Sequence, residues 1–355
     1  MISVNKPFLP PQSEYLELVE DIWSRNWLTN DGPLVRKLEN KLREKLEVAN
    51  MRFVSNGTIA LQIAIKALSL SGEIITTPFS YIATCNSILW ENCTPIFVDI
   101  DPNTFNIDTD LIEAAITDRT TGILSTHVFG NPCDISSITK ISRKRNLRVI
   151  YDAAHCFGTK YMGKSVFNYG DISTVSFHAT KVFHTVEGGG IVCNHDGLLN
   201  RVTKMRNFGH DGPEKFTGLG INGKNSEFHA AMGLVNLRYI DNILKDRRRK
   251  YSIYQEALAS ISGRFQQIEA NSESNYSYFP VVFSSEKQCL NIKRALEEKD
   301  IFPRRYFFPS LNKICSDTSS LKNAESVASS VLCFPQHFYL TENEIKQICK
   351  LTLSC

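Results

Sequence analysis

The chain has 355 residues, of which 42% are hydrophobic and 22% charged, and a formal charge of +3. That is enough apolar material for one large domain and a smaller one, and too little net charge, too evenly spread, for a nucleic-acid binder or a disordered polyelectrolyte. The one dense basic run, Asp246 to Lys250, follows a helical pattern and reads as a solvated helix face. Ten cysteines include no Cys-x-x-Cys pair, and several lie in apolar runs, so they read as reduced core thiols with no metal site among them. Met1 to Pro11 holds three prolines and no apolar stretch of signal-peptide length, and no later stretch could span a bilayer. A soluble, cytoplasmic protein with no membrane partner is the expectation.

In chain order, Ser13 to Arg25 carries Leu16, Val19, Ile22 and Trp23 at helical spacing, and Pro33 opens a second helix with Leu34, Leu38, Leu42 and Leu46 on one stripe. The turn-rich connection Asn26 to Gly32 lies between them, with Trp27 either a binding wall or a packing anchor. Phe53 to Leu68 reads as a short strand, a tight Ser-Asn-Gly-Thr turn and an apolar helix. Gly57 and Thr58 at the helix start would leave free N–H groups and a positive dipole end facing outward, a phosphate cup; an ordinary cap by Asn56 or Thr58 fits this stretch equally well.

Alternation follows: strands at Ile74 to Thr77, Ile96 to Ile100, Gly122 to Val128 and Arg148 to Ala153, with helices at Ile82 to Trp90, Leu111 to Ile116 and Ile135 to Arg145. Such a pattern predicts an α/β fold, a mostly parallel sheet covered by helices on both faces, with ligands at the carboxyl ends of the strands. Those ends carry Tyr81, His127, and Asp152 with His155. A carboxylate closing an apolar strand needs a partner, because desolvated charge is costly unless paired, and a cationic ring nitrogen would serve.

Asp171 to Asn194 organises the chain. Two β-like runs, Ile172 to Phe177 and Gly190 to Cys193, enclose a polar connection with a single lysine, Lys181, flanked by Ser176, His178 and Thr180. An amine that must form a Schiff base works better where its surroundings lower its pKa, so Lys181 reads as a cofactor lysine. Gly188, Gly189 and Gly190 would let the backbone come close to something bulky. Past it come a glycine-rich loop, Gly218 to Ser226, a helix from Glu227 to Tyr239, and a long charged helix from Asp241 to Ser260 that links two domains. Tyr276 to Phe283 and Val331 to Phe334 read as strands, and Glu286 to Lys299 and Thr341 to Leu351 as helices. The predicted division is 1–240, a large cofactor-binding α/β domain with an N-terminal helical arm, and 241–355, a small α+β domain.

Six motifs in order, Ser-Asn-Gly-Thr (55–58), Pro-Phe-Ser-Tyr-Ile-Ala-Thr (78–84), Tyr-Asp-Ala-Ala-His (151–155), Ser-Phe-His-Ala-Thr-Lys (176–181), Glu-Gly-Gly (187–189) and Gly-Ile-Asn-Gly-Lys (220–224), resemble those of the DegT/StrS-type nucleotide-sugar aminotransferases. The resemblance covers nearly the whole chain. It implies the aspartate-aminotransferase-like fold (fold type I), pyridoxal 5′-phosphate, and a homodimer with shared sites. Carried over by position, Lys181 forms the Schiff base and Asp152 pairs with the pyridinium nitrogen. Gly57, Thr58 and Ser176 hold the phosphate, Tyr81 stacks on the ring and His155 approaches the ring hydroxyl. Asn222 or Lys224 reaches the partner's phosphate. The implied reaction moves an amino group from L-glutamate to a nucleotide-linked 4-keto-6-deoxyhexose by a ping-pong cycle, as in the synthesis of dTDP-4-amino-4,6-dideoxyhexoses for surface polysaccharide. Amination at C3 is the alternative within the family. A non-catalytic sensor on the same fold would have no need of Lys181 with Asp152, the family's dehydratases have histidine in the lysine's place, and a dinucleotide enzyme would need Gly-x-Gly-x-x-Gly after Val54, which is absent.

Overall fold

The computed structural model describes residues 1–315 and 320–355. Seven strands form the main sheet: β1 (Met51–Val54), β2 (Glu73–Thr76), β3 (Thr94–Phe97), β4 (Thr120–Thr126), β5 (Arg148–Asp152), β6 (Ile172–Ser176) and β7 (Gly189–Cys193), in the order β1-β7-β6-β5-β4-β2-β3. Every pairing from β6 to β3 is parallel, and β7 runs antiparallel to both its neighbours. Successive residues send their side chains to opposite faces. Ile75, Ile123, Val149 and Val192 join one buried cluster, while Ile74, Leu124, Ile150 and Ile191 join another. Continuous apolar runs are thus what a sheet covered on both sides requires.

Helices supply the covers. α1 (Gln12–Arg25) and α2 (Pro33–Leu46) precede the sheet; Pro33 sits at the first helical position of α2, and Leu34, Leu38, Leu42 and Leu46 are all buried. In α1 only Ile22 is buried, and Leu16 and Trp23 are exposed, so its apolar spacing marks a surface rather than a core contact. α3 (Gly57–Ala67) is apolar almost all round and packs between the sheet and α4 (Ile82–Trp90). α5 (Ile135–Arg145), α6 (Asp196–Met205) and α7 (Glu227–Asn236) complete the layers, α6 being a helix that the sequence reading left unassigned.

A second core lies under a three-stranded antiparallel sheet of β8 (Gly263–Phe265), β9 (Phe279–Phe283) and β10 (Val331–Phe334). It gathers Tyr251, Tyr254 and Leu258 from α8 (Ile240–Ala257) and its C-terminal cap, with side chains from α9 (Glu286–Glu297) and α11 (Glu342–Leu353); α10 (Lys322–Ser330) sits beside it. A further cluster joins the two regions, bringing Phe79, Phe105 and Phe129 against Tyr278, Val282 and Phe307. The short strand Ile2–Ser3 crosses as well, pairing in parallel with Ile301–Phe302.

Two expectations are corrected. The basic run of α8 is a solvated face only in part: Arg248 and Arg249 are exposed, whereas Arg247 and Lys250 are 5% and 1% exposed. Arg247 donates to the Ser277 carbonyl at 2.9 Å, and Lys250 donates to the His337 and Phe338 carbonyls at 3.0 and 2.7 Å and pairs with Asp246. Charge alone could not announce carbonyls that arrive from some 90 residues away. The cysteines are also not all thiols. Eight are free, seven of them buried, whereas Cys85 and Cys315 are joined as a disulfide.

Candidate active site

Parallel strands point their carboxyl ends the same way, so the segments that follow them meet at one rim of the sheet. There the structure holds a cavity of about 330 Å³ whose walls include Gly57, Thr58, Tyr81, Asp152, His155, Ser176 and Lys181. They arrive on several elements. Gly57 and Thr58 start α3 after β1, Tyr81 is the residue before α4, Asp152 closes β5, Ser176 closes β6, and Lys181 lies in the turn between β6 and β7.

Asp152 is 5% exposed. One carboxylate oxygen accepts from the Thr84 hydroxyl at 2.8 Å and the other from the Ala154 N–H at 3.1 Å. Behind Thr84 a row of hydroxyls continues through Ser80 to Thr126, at 2.8 and 3.0 Å. Burial pushes the Asp152 carboxyl up from its ordinary value; the Thr84 hydroxyl, the Ala154 N–H and the charge of Lys181 oppose that rise. Lys181 is partly open to the cavity yet enclosed by protein, and its side chain makes no hydrogen bond or ion pair among the described residues. Desolvation lowers its ammonium to about 8, against the pull of Asp152. His155 is held well below its ordinary value by burial and by Lys181, so its ring is neutral, and its Nδ1 is buried with no hydrogen-bond partner among the described residues.

Asn56 caps α3, its side chain accepting the Ile59 N–H at 2.8 Å. The N–H groups of Gly57 and Thr58 have no intrahelical acceptor, and they face the cavity beside Ser176. Cup and cap therefore coexist. A side chain at 57 would come within 3.1 Å of the Ser176 Cβ, which is why glycine stands there. The glycines after Glu187 have a different reason from the one expected. Side-chain atoms at 188 and 189 would strike Phe53 and the backbone of Asn56, and at 190 the Met51 side chain. What approaches closely is β1 and the start of α3, the protein itself.

His127 does not reach the cavity. It is fully buried, accepts the Cys133 N–H at 3.0 Å through Nδ1 and stacks on Tyr151 at 4.6 Å; burial lowers it to about 3. Asn222 and Lys224 do not line the cavity either: Lys224 donates to Asn222 at 2.6 Å and lies over the Phe208 ring. Trp27 donates to the Thr29 carbonyl at 2.6 Å with Arg36 above its ring, a packing anchor for the 26–32 turn. Sequence reasoning missed Thr84, Tyr278, Tyr306 and Phe307. Thr84 sits in the Pro78 to Thr84 motif at helical spacing from Ser80, and Tyr306 in the stretch Arg304-Arg-Tyr306 that also resembles the family's, both readable signals; Tyr278 and Phe307 arrive from the far end of the chain with none.

The groups present fit a phosphorylated pyridine cofactor: a buried carboxylate without a cation bonded to it, an unpaired amine of lowered pKa, an orphaned His155 Nδ1 and an anion-binding helix start. Comparison with known proteins agrees. The model of the DegT/DnrJ/EryC1/StrS aminotransferase family matches residues 11–352. A dTDP-4-amino-4,6-dideoxy-D-glucose transaminase of Shigella dysenteriae is 42% identical over 355 residues, covering 98% of this chain and 97% of the relative. A transaminase of the same name from Escherichia coli is 38% identical over 370 residues, covering 99% and 98%. Among solved structures, DesI in the presence of its TDP-sugar product superposes with a TM-score of 0.94 at 30% identity, over 100% of this chain and 92% of that one. Helicobacter pylori PseC, at 24% identity, TM-score 0.92 and coverage of 99% and 98%, has the same fold. The fold is that of the type I pyridoxal-phosphate enzymes, and the chain belongs to the DegT/DnrJ/EryC1/StrS family of pyridoxal-phosphate-dependent aminotransferases.

Proposed function

We propose that the protein transfers the amino group of L-glutamate to C4 of a dTDP-linked 4-keto-6-deoxyhexose. The observation that carries the chemistry is the juxtaposition of Lys181, unpaired and lowered to about 8, with the buried carboxylate of Asp152 in one cavity. The C4 position and the dTDP group rest on the two relatives of 42% and 38% identity, which favour them over amination at C3.

Bound in the cavity, pyridoxal phosphate supplies an electron sink for the carbon next to the reacting nitrogen. The chain's own residues do the rest. Asp152, its charged form favoured and aimed by Thr84 and Ala154, would present negative charge to the ring nitrogen. The α3 start and Ser176 hold the phosphate without a side-chain cation. Tyr81, 60% exposed, would cover a ring face, and His155, in the cavity wall, would approach the ring hydroxyl. Lys181 Nζ, with a pKa near working pH, takes the proton from the amino-donor carbon and returns one to the sugar carbon.

Our reading includes a homodimer in which Asn222 and Lys224 complete the neighbour's site. Its support is that both residues lie away from their own cavity, and that the phosphate cup of one chain has no cationic side chain besides Lys181. The division into 1–240 and 241–355 is likewise proposed; separate cores support it, while the pairing of Ile2–Ser3 with Ile301–Phe302 ties the N-terminus to the smaller part.

The test combines purified protein, glutamate and the dTDP-linked 4-keto sugar. Glutamate alone should bleach the visible cofactor band, and the sugar should restore it with formation of an amino sugar. Mixed subunits of Lys181→Ala and Asn222→Ala/Lys224→Ala should be more active than either parent. Mixtures that exchange subunits yet stay as inactive as their parents would overturn the shared site.

A further inference from the structure

Glu187 is a carboxylate in a place where neither substrate's ionised groups want one. It lines the cavity, its side chain is 53% exposed, and His178 Nε2 stands 3.4 Å from its Oε1. The Thr180 N–H donates to His178 Nδ1 at 3.2 Å, so in the neutral ring the proton sits on Nε2, facing Glu187. His178 is thus within ion-pair distance, and neither carboxylate oxygen makes a hydrogen bond among the described residues.

The backbone behind Glu187 is held with unusual care. Val186, a β-branched residue, adopts φ of +69°, a left-handed conformation that such residues rarely accept. Strain of this kind persists only where the surroundings over-determine it, and here they do. The Val186 N–H donates to His184 Nδ1 at 3.2 Å, and His184 Nε2 donates to the Phe8 carbonyl at 2.7 Å. The Glu187 carbonyl accepts from the Thr185 hydroxyl at 2.7 Å and from Asn225 at 3.0 Å. Several parts of the chain thus fix where the Glu187 side chain starts.

An ionised carboxylate only accepts hydrogen bonds. Glutamate would bring carboxylates, and a nucleoside diphosphate would bring phosphates; both are repelled. The groups on the two substrates that can donate to it are hydroxyls and the N–H of the base. His178, whose carbonyl accepts the Lys181 N–H at 2.9 Å, places Glu187 one side chain from the reactive turn. The base lies a diphosphate away from the reacting carbonyl, whereas the ring hydroxyls lie beside it.

We propose that Glu187, backed by His178, is the specificity-determining acceptor for a ring hydroxyl next to the reacting carbonyl of the keto sugar. This rests on the reading that a nucleotide-linked keto sugar is the amino acceptor. It assigns to one acid the choice between the two substrates that alternate in a single cavity: a neutral, hydroxylated ring is welcomed beside Lys181, and an anion is turned away from that wall.

The test measures the half-reactions separately by single-turnover absorbance, with wild type, Glu187→Gln and Glu187→Asp. For Glu187→Gln, the apparent Kd of the dTDP-linked 4-keto sugar should weaken at least tenfold, that of glutamate should stay the same or tighten, and inhibition by dTDP alone should stay within twofold. Glu187→Asp keeps the charge but retracts it, so it should weaken the sugar without tightening glutamate. Equal losses in both half-reactions, an equal loss for dTDP alone, or no change for the sugar would each overturn the proposal. A wild-type protein that reacts with glutamate but with no keto sugar would instead overturn the assigned substrate.

Discussion

Two lysines show how one chemical group can be used in opposite ways. Lys250, on α8 beneath the small sheet, is 1% exposed, with two carbonyls and Asp246 around its ammonium. Lys181, at the rim of the large sheet, is enclosed but has no hydrogen-bond partner for its amine. Burial lowers both, yet hydrogen bonding and the charge of Asp246 hold Lys250 up, while Lys181 falls to about 8. A buried charge whose donors are all used holds structure; one left unused beside a cavity is available for chemistry.

The largest effect that would break this contrast is on turnover. Lys181→Ala should lower transamination by several orders of magnitude, leave Tm within a few degrees and abolish borohydride labelling of the cofactor-bearing peptide. Labelling at another lysine would end the assignment. Lys250→Ala should do the reverse: it leaves two buried carbonyls without their donor and Asp246 with Arg249 alone, costing about 2 kcal/mol in denaturant unfolding, with kcat per folded molecule nearly unchanged. A stable but inactive Lys250→Ala protein would show that the two lysines are not opposites.

A smaller effect sharpens the Lys181 side through its partner. Thr84→Val keeps shape but removes the hydroxyl that donates to Asp152. The Asp152 carboxyl should then rise further, kcat should fall roughly tenfold, and the acid limb of the pH profile should move to higher pH. Thr84→Ser should restore both, which a merely structural role would not require.

The last effect is on stability against pH. An unfolded lysine titrates near its ordinary 10.5 and folded Lys181 at about 8, so between those values the unfolded chain binds more protons. The cofactor-free protein should therefore gain stability as pH rises from about 8 toward 10.5, relative to Lys181→Met. Parallel curves for the two proteins would show that the desolvation of Lys181 is not real.

Much of the site was legible because its residues sit in short contiguous motifs at strand ends, where the change from period two to a polar turn is itself the signal. The seven residues from Gly57 to Lys181 meet in one cavity for that reason. His127 carried the same signal and is a packing residue, since a strand end says nothing about which neighbour fills the space beyond it. Tyr278 and Phe307 were invisible: their position depends on how the second core docks, and no local pattern encodes that. Helix α6 was missed because a sequence beginning Asp-Gly and carrying Asn and Thr offers little intrinsic helix preference, and packing of Val202 and Met205 decides it.

The pairing of Ile2–Ser3 with Ile301–Phe302 also bears on how the protein is made. The Ile2 N–H donates to the Asp300 carbonyl and the Val4 N–H to that of Phe302, while the Val4 carbonyl accepts the Gln336 N–H. During synthesis residues 2–4 must therefore wait for partners some 300 positions behind them, roughly 15 to 60 s at ordinary rates. Loop closure over such a span comes late in assembly. Until it happens, the stretch leading into Tyr306 and Phe307 lacks its outer strand, so the catalytic cavity is among the last parts of the newborn chain to acquire its walls.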